Sequence, residues 1–257
     1  MNNVFTKETF DRWFSSTTCA DSQLNNVIKK NNFQKKIPTF KEISLLLFKC
    51  DNLYNNYKHL ENINEPMWYP VHISDKTTNI IVKKLGYIPK FGVEVGSFIG
   101  HSAKILGNLV KKNNGVLLCI DTWCGDINMW LMNEFHDTMN KNDGNPKIYN
   151  LFMQNMIKNE LNNTVIPLRV SSIVGARMLK VLKYEIDFVY VDSAHEAGET
   201  FMELMLYHDI LKPGGVLFGD DYHWFPAVKF DVDLFCKYYN YELCFTGDGD
   251  TWIIQKL

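Results

Sequence analysis

From residue 75 onward, short continuous runs of apolar residues alternate with stretches in which apolar residues recur at helical spacing. A strand of a parallel sheet that is covered on both faces is apolar throughout, so each short run predicts one buried strand. The predicted strands are 91–95, 115–120, 164–170, 186–191 and 215–218. Strands that alternate with helices in this way predict an α/β fold with a mostly parallel sheet.

The stretches with helical spacing predict helices between these strands and after the last one. Gly86 follows one of them, at the position where glycine commonly ends a helix in the left-handed conformation. The Gly-Asp-Gly-Asp segment 247–250 separates two short β-like runs, which predicts an antiparallel hairpin at the end of the sheet. The predicted helices are 77–85, 103–110, 173–182 and 227–239, and the hairpin runs are 241–245 and 251–255.

Residues 1–74 follow a different pattern. Helix-like apolar clusters occur at 24–30 and 40–50, and the alternation typical of strands is absent from the sequence there. Pro66 and Pro70 bound an aromatic segment that predicts extended chain or a loop. We interpret 1–74 as a helical N-terminal cap or extension, and 75–257 as the main domain.

The composition is that of a globular protein, with 46% apolar and 22% charged residues in a chain of 257. A net charge of -2 gives no general attraction to nucleic acid, and no apolar run is long enough for a membrane span or a signal peptide. Six cysteines without a C-x-x-C pair favour reduced thiols and a cytoplasmic location. The sequence is compatible with a homo-oligomer.

A glycine-containing turn follows the first predicted strand, with the sequence Glu94-Val-Gly-Ser-Phe-Ile-Gly-His-Ser102. Glycine lets the backbone turn tightly and approach a ligand, and the N–H groups at the start of the next helix attract an anionic group. A dinucleotide fingerprint would need glycine at positions 98 and 101, where this chain has Phe98 and His101. An NAD-linked oxidoreductase is therefore disfavoured.

This E-x-G-S-x-x-G-x-S pattern resembles the first motif of class I methyltransferases that depend on S-adenosylmethionine (SAM). The resemblance implies a Rossmann-like sheet in which the strand-end carboxylate and the glycine turn hold the methionine part of SAM. The residues implied at this part of the cofactor site are Glu94, Gly96, Ser97, Gly100 and Ser102. An ordinary strand-to-helix turn is the alternative for the motif taken alone.

A second cofactor segment, Asp121-Thr122-Trp123, follows the second predicted strand. A carboxylate at this place is suited to accept hydrogen bonds from ribose hydroxyls, and an adjacent aromatic ring to stack on adenine; the alternative for Asp121 is a helix N-cap. The segment also resembles that of the macrocin O-methyltransferase group. The resemblance places Ser171 and Ser172 near the adenine, although they equally suit capping of the next helix.

Carboxylates end two further strands that we expect to be neighbours. Asp192 follows the fourth strand, and Asp220 and Asp221 follow the fifth. Three converging carboxylates repel one another unless a cation lies among them, and oxygen ligands suit Mg²⁺ or another hard divalent cation. The arrangement resembles the metal site of catechol-type and macrocin-type O-methyltransferases. The alternative is that Asp220 and Asp221 only begin a polar loop.

Histidines next to these carboxylates supply a candidate general base. His195, three residues after Asp192, is placed to take a proton from an acceptor hydroxyl, as the macrocin-like resemblance also implies, and Asp192 completes the predicted catalytic pair. We interpret His223 and Trp224 as lining of the acceptor pocket. Trp68 and Tyr69 either line that pocket or simply pack under the N-terminal cap.

These patterns together predict a SAM- and divalent-metal-dependent O-methyltransferase. Adjacent hydroxyls chelate a metal and fix one oxygen in line with the methyl group, so the expected acceptor is a small molecule of this kind, a carbohydrate or glycoside before a catechol. Two alternatives remain open at this point. One is a metal-independent small-molecule methyltransferase, and the other is a non-catalytic binding protein on the same fold.

Overall fold

The computed structural model describes residue 26 and residues 36–57, 73–135, 139, 141, 143–193 and 195–257. Trp68 and Tyr69, predicted to line an acceptor pocket, lie outside the described residues, as does most of the predicted helix at 24–30. In the described part of the chain, no helix is both long enough and apolar enough to cross a membrane.

A seven-stranded sheet forms the centre of the protein, in the order β3-β2-β1-β4-β5-β7-β6. Strands β1 to β5 run parallel, β7 pairs antiparallel with β5, and β6 pairs antiparallel with β7. This is the predicted α/β fold, with its antiparallel end. The strands are β1 Phe91–Val95, β2 Val116–Asp121, β3 Val165–Arg169, β4 Ile186–Val191, β5 Leu211–Gly219, β6 Cys244–Phe245 and β7 Trp252–Gln255.

Helices cover both faces of the sheet. The α-helices are α1 Phe40–Phe48, α2 Asp75–Leu85, α3 His101–Lys111, α4 Ile127–Leu131, α5 Ile148–Lys158, α6 Ser172–Leu182, α7 Glu199–Ile210 and α8 Pro226–Tyr239, with 3₁₀ turns at Leu53–Asn56 and Asn133–Phe135. Helix α2 contacts α3, and α3 packs on β1 and β2, while α6, α7 and α8 pack in sequence with α6 on β2 and α7 on β4. The pattern of packing defines two helical layers, one on each face.

Most element boundaries lie within two residues of the prediction. Helix α2 ends at Gly86, whose φ of 78° is the expected left-handed conformation. Strand β5 is longer than predicted and begins at Leu211, because the Lys212–Gly215 stretch pairs with Lys256: Gly214 donates its N–H to the Lys256 carbonyl, and Lys256 donates back to Gly215. Helices α4, α5 and α7 had no counterpart in the sequence prediction.

The described part of the N-terminal region covers the edge of the sheet at β3. Helix α1 begins at a capping box between Thr39 and Glu42, and it contacts β3. The Tyr54 hydroxyl donates a hydrogen bond of 2.9 Å to the Val165 carbonyl within the core. This segment therefore shields an edge strand that would otherwise present unpaired backbone groups.

Candidate active site

A cavity of about 900 Å³ opens at the carboxyl ends of the parallel strands. Parallel strands deliver the loops that follow them to one edge of the sheet, which is where ligands bind in open α/β folds. The loops after β1, β2, β3, β4 and β5 all contribute to the wall. The predicted site residues at this wall are Gly96, Ser97, Ser102, Asp121, Thr122, Ser171, Ser172, Asp192, His195, Asp220 and Asp221.

The glycine turn after β1 depends on Gly96 for its close packing. Gly96 has a φ of 82°, and a Cβ atom at this position would overlap the carbonyl oxygen of Asp192 at a distance of 1.8 Å. Gly100, with a φ of 89°, packs against Phe152 and Met156 and begins α3 instead of lining the cavity. Gly96 thus shapes the ligand wall, whereas Gly100 shapes the turn from behind.

Glu94 lies completely buried beneath this turn. Its Oε2 atom accepts hydrogen bonds from Ser97 Oγ at 2.6 Å and from Cys119 Sγ at 3.2 Å. Its Oε1 atom has no partner with hydrogen-bond geometry among the described residues. Burial raises the pKa of Glu94 to about 7, although neighbouring hydroxyls lower it in part. A partly unsatisfied carboxylate here fits the ammonium group of a bound amino acid moiety.

Asp121 at the end of β2 fastens the glycine turn. Its Oδ2 atom accepts hydrogen bonds of 2.9 Å from the backbone N–H groups of both Ser97 and Phe98. Its Oδ1 atom accepts one of 2.6 Å from Trp123 N–H. Asp121 also lines the cavity, and its carboxylate is held by the turn in a position suited to ligand hydroxyls as well. Asp121 is not a helix N-cap, which was the alternative role for it, because Asp126 caps α4.

Trp123 does not face the cavity, so the prediction that it stacks on adenine is wrong. Its φ of 51° turns the chain inward, and the side chain is completely buried. The indole N–H donates a 2.7 Å hydrogen bond to the Phe98 carbonyl, and the ring packs edge-on against Tyr149 and Phe152. Trp123 therefore supports the glycine turn from the core.

Ser171 and Ser172 occupy the start of α6, at the cavity wall. Ser171 is the N-cap, and its hydroxyl accepts a hydrogen bond from Val174 N–H, as the capping interpretation predicts. Both residues also line the cavity, so capping and ligand contact are compatible at this position.

Three side chains beyond β4 and β5 form a compact group with the chemistry of a metal site. One ligand atom from each of Asp192, His195 and Asp221 lies within 4.8 Å of the other two. Burial raises the pKa of Asp192 well above its usual range, and the charges of Asp221 and Asp220 raise it further. Two carboxylates and an imidazole at this spacing fit a divalent cation, which would relieve the repulsion between the carboxylates.

Asp220 is not a member of this compact group, so its predicted role as a metal ligand stays a prediction. Asp221 has a φ of 65°, and its Oδ2 atom lies 2.8 Å from His195 Nε2. The backbone carbonyl of Asp220 accepts a hydrogen bond from the Trp252 indole N–H. Asp220 still lines the cavity and adds negative charge beside Asp192.

His195 lies between two carboxylates and against an aromatic ring. Its Nε2 atom is 2.8 Å from Asp221 Oδ2, and its Nδ1 atom is 3.4 Å from Asp126 Oδ2. The imidazole stacks on Phe225 with ring centroids 4.1 Å apart. Burial alone would lower the pKa of His195, but Asp221, Asp192 and Asp126 together raise it to about 8. Asp126 was not among the predicted site residues, and its N-cap position before α4 is a local signal for it.

His223 and Trp224 lie outside the cavity, so the prediction that they line the acceptor pocket is wrong. The buried carboxylate of Asp250 accepts hydrogen bonds from the backbone N–H groups of both residues and from His223 Nδ1. These bonds fix a segment that is not part of the cavity wall. The His223 ring packs on Phe245, and Trp224 is largely exposed.

Comparison with known proteins defines the class of protein to which this site belongs. Residues 93–222, just over half of the chain, match a family described as a methyltransferase domain. The chain therefore belongs to this methyltransferase family, and the matched segment runs from β1 to the residue after Asp221. A comparison with curated proteins finds no match.

Solved structures share the fold at low sequence identity. Cofactor-bound Rv0187 from MTB aligns with a TM-score of 0.53 and 10% identity, over 85% of this chain and 97% of that one. CalS11, a calicheamicin methyltransferase, aligns with a TM-score of 0.52 and 12% identity over 95% of both chains. A precorrin-6y C5,15-methyltransferase from Geobacter metallireducens aligns with a TM-score of 0.50 and 13% identity, over 77% and 95%. These likenesses establish the Rossmann-like methyltransferase fold.

Proposed function

We propose that the protein is a cytoplasmic, SAM- and divalent-cation-dependent O-methyltransferase that acts on a small molecule with adjacent hydroxyls, a sugar or glycoside. The observation that carries the proposal is the position of the Asp192, His195 and Asp221 group at the same cavity as the glycine turn. Gly96 packs directly on the Asp192 backbone, so a ligand on the turn lies beside the group. A methyl donor and a polar acceptor would meet there.

Different residues would bind different parts of SAM, which supplies the methyl group when bound. Glu94 beneath the turn attracts the ammonium of the methionine part, and Gly96 leaves room for it. Asp121 is held by three backbone N–H groups at the end of β2, where it would accept hydrogen bonds from ribose hydroxyls. Ser171 and Ser172 close the side of the cavity beyond Asp121.

Asp192 and Asp221 would hold the cation, with Asp220 adding charge nearby and His195 beside them as the base. A hard divalent cation bound there would lower the pKa of an acceptor hydroxyl and would fix its position. Without positive charge among them, the carboxylates keep a proton on His195 at neutral pH. Positive charge beside those carboxylates would lower the pKa of His195. The imidazole would then be neutral and able to accept the hydroxyl proton.

A sequence resemblance and a structural neighbour favour a sugar as the acceptor. The sequence resembles the macrocin O-methyltransferase group in Asp121–Asp126 and in the segment after Asp221. CalS11, which shares the fold, is a TDP-rhamnose 3'-O-methyltransferase.

We also propose that residues 1–74 help to cover the acceptor. Removal of residues 1–35 should then weaken acceptor methylation but leave S-adenosylhomocysteine binding intact, because 36–57 keep their contacts with β3.

The decisive experiment is methyl transfer from labelled SAM to a panel of sugar nucleotides, glycosides and catechols, with Mg²⁺, Mn²⁺ or Ca²⁺ and after chelation. We expect transfer to a diol-bearing acceptor that stops on chelation and returns with Mg²⁺. Full activity after exhaustive chelation would exclude the metal and with it the reason for adjacent hydroxyls. Calorimetry with S-adenosylhomocysteine tests the cofactor separately, and absence of binding would remove the methyltransferase proposal itself.

A further inference from the structure

Glu203 is a buried carboxylate that the proposed chemistry leaves unused. It lies in the middle of α7, is only 4% exposed, and forms part of the cavity wall. Its Oε2 atom accepts a 2.7 Å hydrogen bond from Ser193 Oγ. A carboxylate has about four lone-pair sites, so Glu203 can still accept a hydrogen bond from a ligand donor in the cavity besides those from its serine partners.

Glu203 interacts with two serines that follow different strands of the sheet. Ser193 follows β4, and Ser172, whose hydroxyl also interacts with Glu203, begins α6 after β3. Strands β2 and β1 lie between β3 and β4 in the sheet. Glu203 therefore reaches the cavity from the α6–α7 layer, across from the ends of β1 and β2. The glycine turn leads into α3, which packs on β1 and β2 in the other layer.

A nucleoside held by Asp121 would extend its base toward this wall. Asp121 ends β2, and Ser171 and Ser172 lie at the adjacent strand end on the side of α6. The base has a flat polar edge, and for adenine that edge carries an exocyclic amino group that donates hydrogen bonds. An ionised carboxylate only accepts them. Hypoxanthine carries a carbonyl at the same position, and this acceptor would face another acceptor.

We propose that Glu203 accepts a hydrogen bond from the 6-amino group of the SAM adenine and so selects adenine over a 6-oxo base. This inference rests on the proposed function, since it assumes that the cavity holds SAM. Ser193 and Ser172 orient the carboxylate from either side, so Glu203 presents a fixed acceptor. It is a specificity-determining residue for the cofactor and takes no part in the transfer step.

The test compares two ligands that differ at the purine 6-position, S-adenosylhomocysteine and S-inosylhomocysteine, by calorimetry. The wild-type protein should bind the adenosyl compound roughly 10- to 100-fold more tightly, because an unmatched buried polar group costs that much affinity. In Glu203→Gln the side-chain amide can donate to the 6-oxo group, so the preference should fall below threefold or reverse. Glu199→Gln is the matched control, since Glu199 lies at the same cavity one turn earlier in α7 but is exposed.

The outcomes separate this inference from the function on which it rests. Equal binding of the two ligands by the wild-type protein would overturn the role of Glu203 and leave the methyltransferase proposal standing, and this comparison needs no variant. An undiminished preference in a folded Glu203→Gln protein would overturn it as well. Binding of neither compound to the wild-type protein would overturn both proposals. Loss of preference in Glu203→Gln, with retention in Glu199→Gln, supports the assignment.

Discussion

The carbonyl oxygen of Asp192 occupies the space that a side-chain Cβ would need at Gly96. The glycine turn after β1 and the candidate metal group after β4 are therefore in direct backbone contact. This contact follows from the sheet order, because β1 and β4 are hydrogen-bonded neighbours whose carboxyl ends meet at one edge. A change at Gly96 should consequently disturb cofactor binding and cation binding together.

The first prediction is that Gly96→Ala reduces the affinity for S-adenosylhomocysteine and for Mn²⁺ in the same protein. The added methyl group meets backbone that cannot rotate away, and the φ of 82° is strained for any L-residue. Gly86→Ala is the matched control, since Gly86 has a similar φ of 78° with open space around it. The control should lose about 1–2 kcal/mol of stability and no ligand affinity. Calorimetry and denaturant unfolding of both variants decide, and unchanged Mn²⁺ binding in folded Gly96→Ala would contradict the coupling.

The second prediction distinguishes the two adjacent aspartates after β5. Asp221→Asn should weaken Mn²⁺ binding by more than roughly tenfold, a loss that even outer partners of metal ligands produce. Asp220→Asn should have a smaller effect, because Asp220 adds charge near Asp192 without belonging to the compact group. Electron paramagnetic resonance of Mn²⁺ measures both affinities. A larger loss in Asp220→Asn would restore the ligand set that the sequence suggested.

Strand-end chemistry was predictable because parallel strands carry their following residues to one edge. That rule brought Asp121, Asp192 and Asp221 to the same cavity from separate parts of the sequence, with Glu94 buried beneath the glycine turn at its wall. It predicted both Asp220 and Asp221 as ligands, and of the two only Asp221 lies in the compact group with Asp192 and His195. The order of residues along a strand end fixes the neighbourhood but not the direction of each side chain.

Loop paths account for the residues that the sequence prediction missed or misplaced. Trp123 is adjacent to a cavity residue, yet a left-handed backbone at Trp123 turns its ring into the core. Asp126 reaches His195 only because α4 begins at the cavity rim. His223 and Trp224 face outward because Asp250, from the distant hairpin, binds their backbone. These are tertiary contacts that no local pattern encodes.

The third prediction concerns proton transfer by His195. His195→Ala should lower the methyl-transfer rate by roughly 10²–10⁴, the usual range for a lost general base, while S-adenosylhomocysteine still binds. His223→Ala is the control and should stay within threefold, because His223 lies outside the cavity. Single-turnover transfer to the best acceptor of the panel separates chemistry from binding. An unchanged rate in His195→Ala would move the base to another residue.

The charge of Asp126 gives a related prediction that needs no acceptor. Asp126 contributes to the raised pKa of His195, which is about 8, since a nearby negative charge favours the imidazolium. Asp126→Asn should therefore lower the pKa of His195 in the cation-free protein. An NMR titration of the imidazole carbon-bound protons follows it directly. A pKa that stays the same or rises would show that Asp126 does not act on His195 electrostatically.

The last prediction concerns the ionisation of Glu94, which affects both the free energy of unfolding and cofactor binding. Burial raises the pKa of this carboxyl to about 7, against about 4.5 in the unfolded chain. The folded protein therefore holds a proton that the unfolded chain releases between those values. The stability contributed by Glu94 is fully present below about pH 4.5 and is lost as the pH rises to about 7. One pKa unit corresponds to about 1.4 kcal/mol, so the loss amounts to roughly 3 kcal/mol.

Glu94→Gln removes this titration and keeps the shape of the side chain. Its free energy of unfolding, relative to wild type, should rise by roughly 3 kcal/mol between pH 4 and pH 8. Its affinity for S-adenosylhomocysteine at pH 8 should fall, by roughly 1–3 kcal/mol, because a neutral amide no longer pairs with the ligand ammonium. Urea unfolding across the pH range and calorimetry at pH 8 measure the two effects. Parallel stability profiles for the two proteins would contradict the buried titration, whereas equal affinities would show that Glu94 shapes the turn without attracting the cofactor.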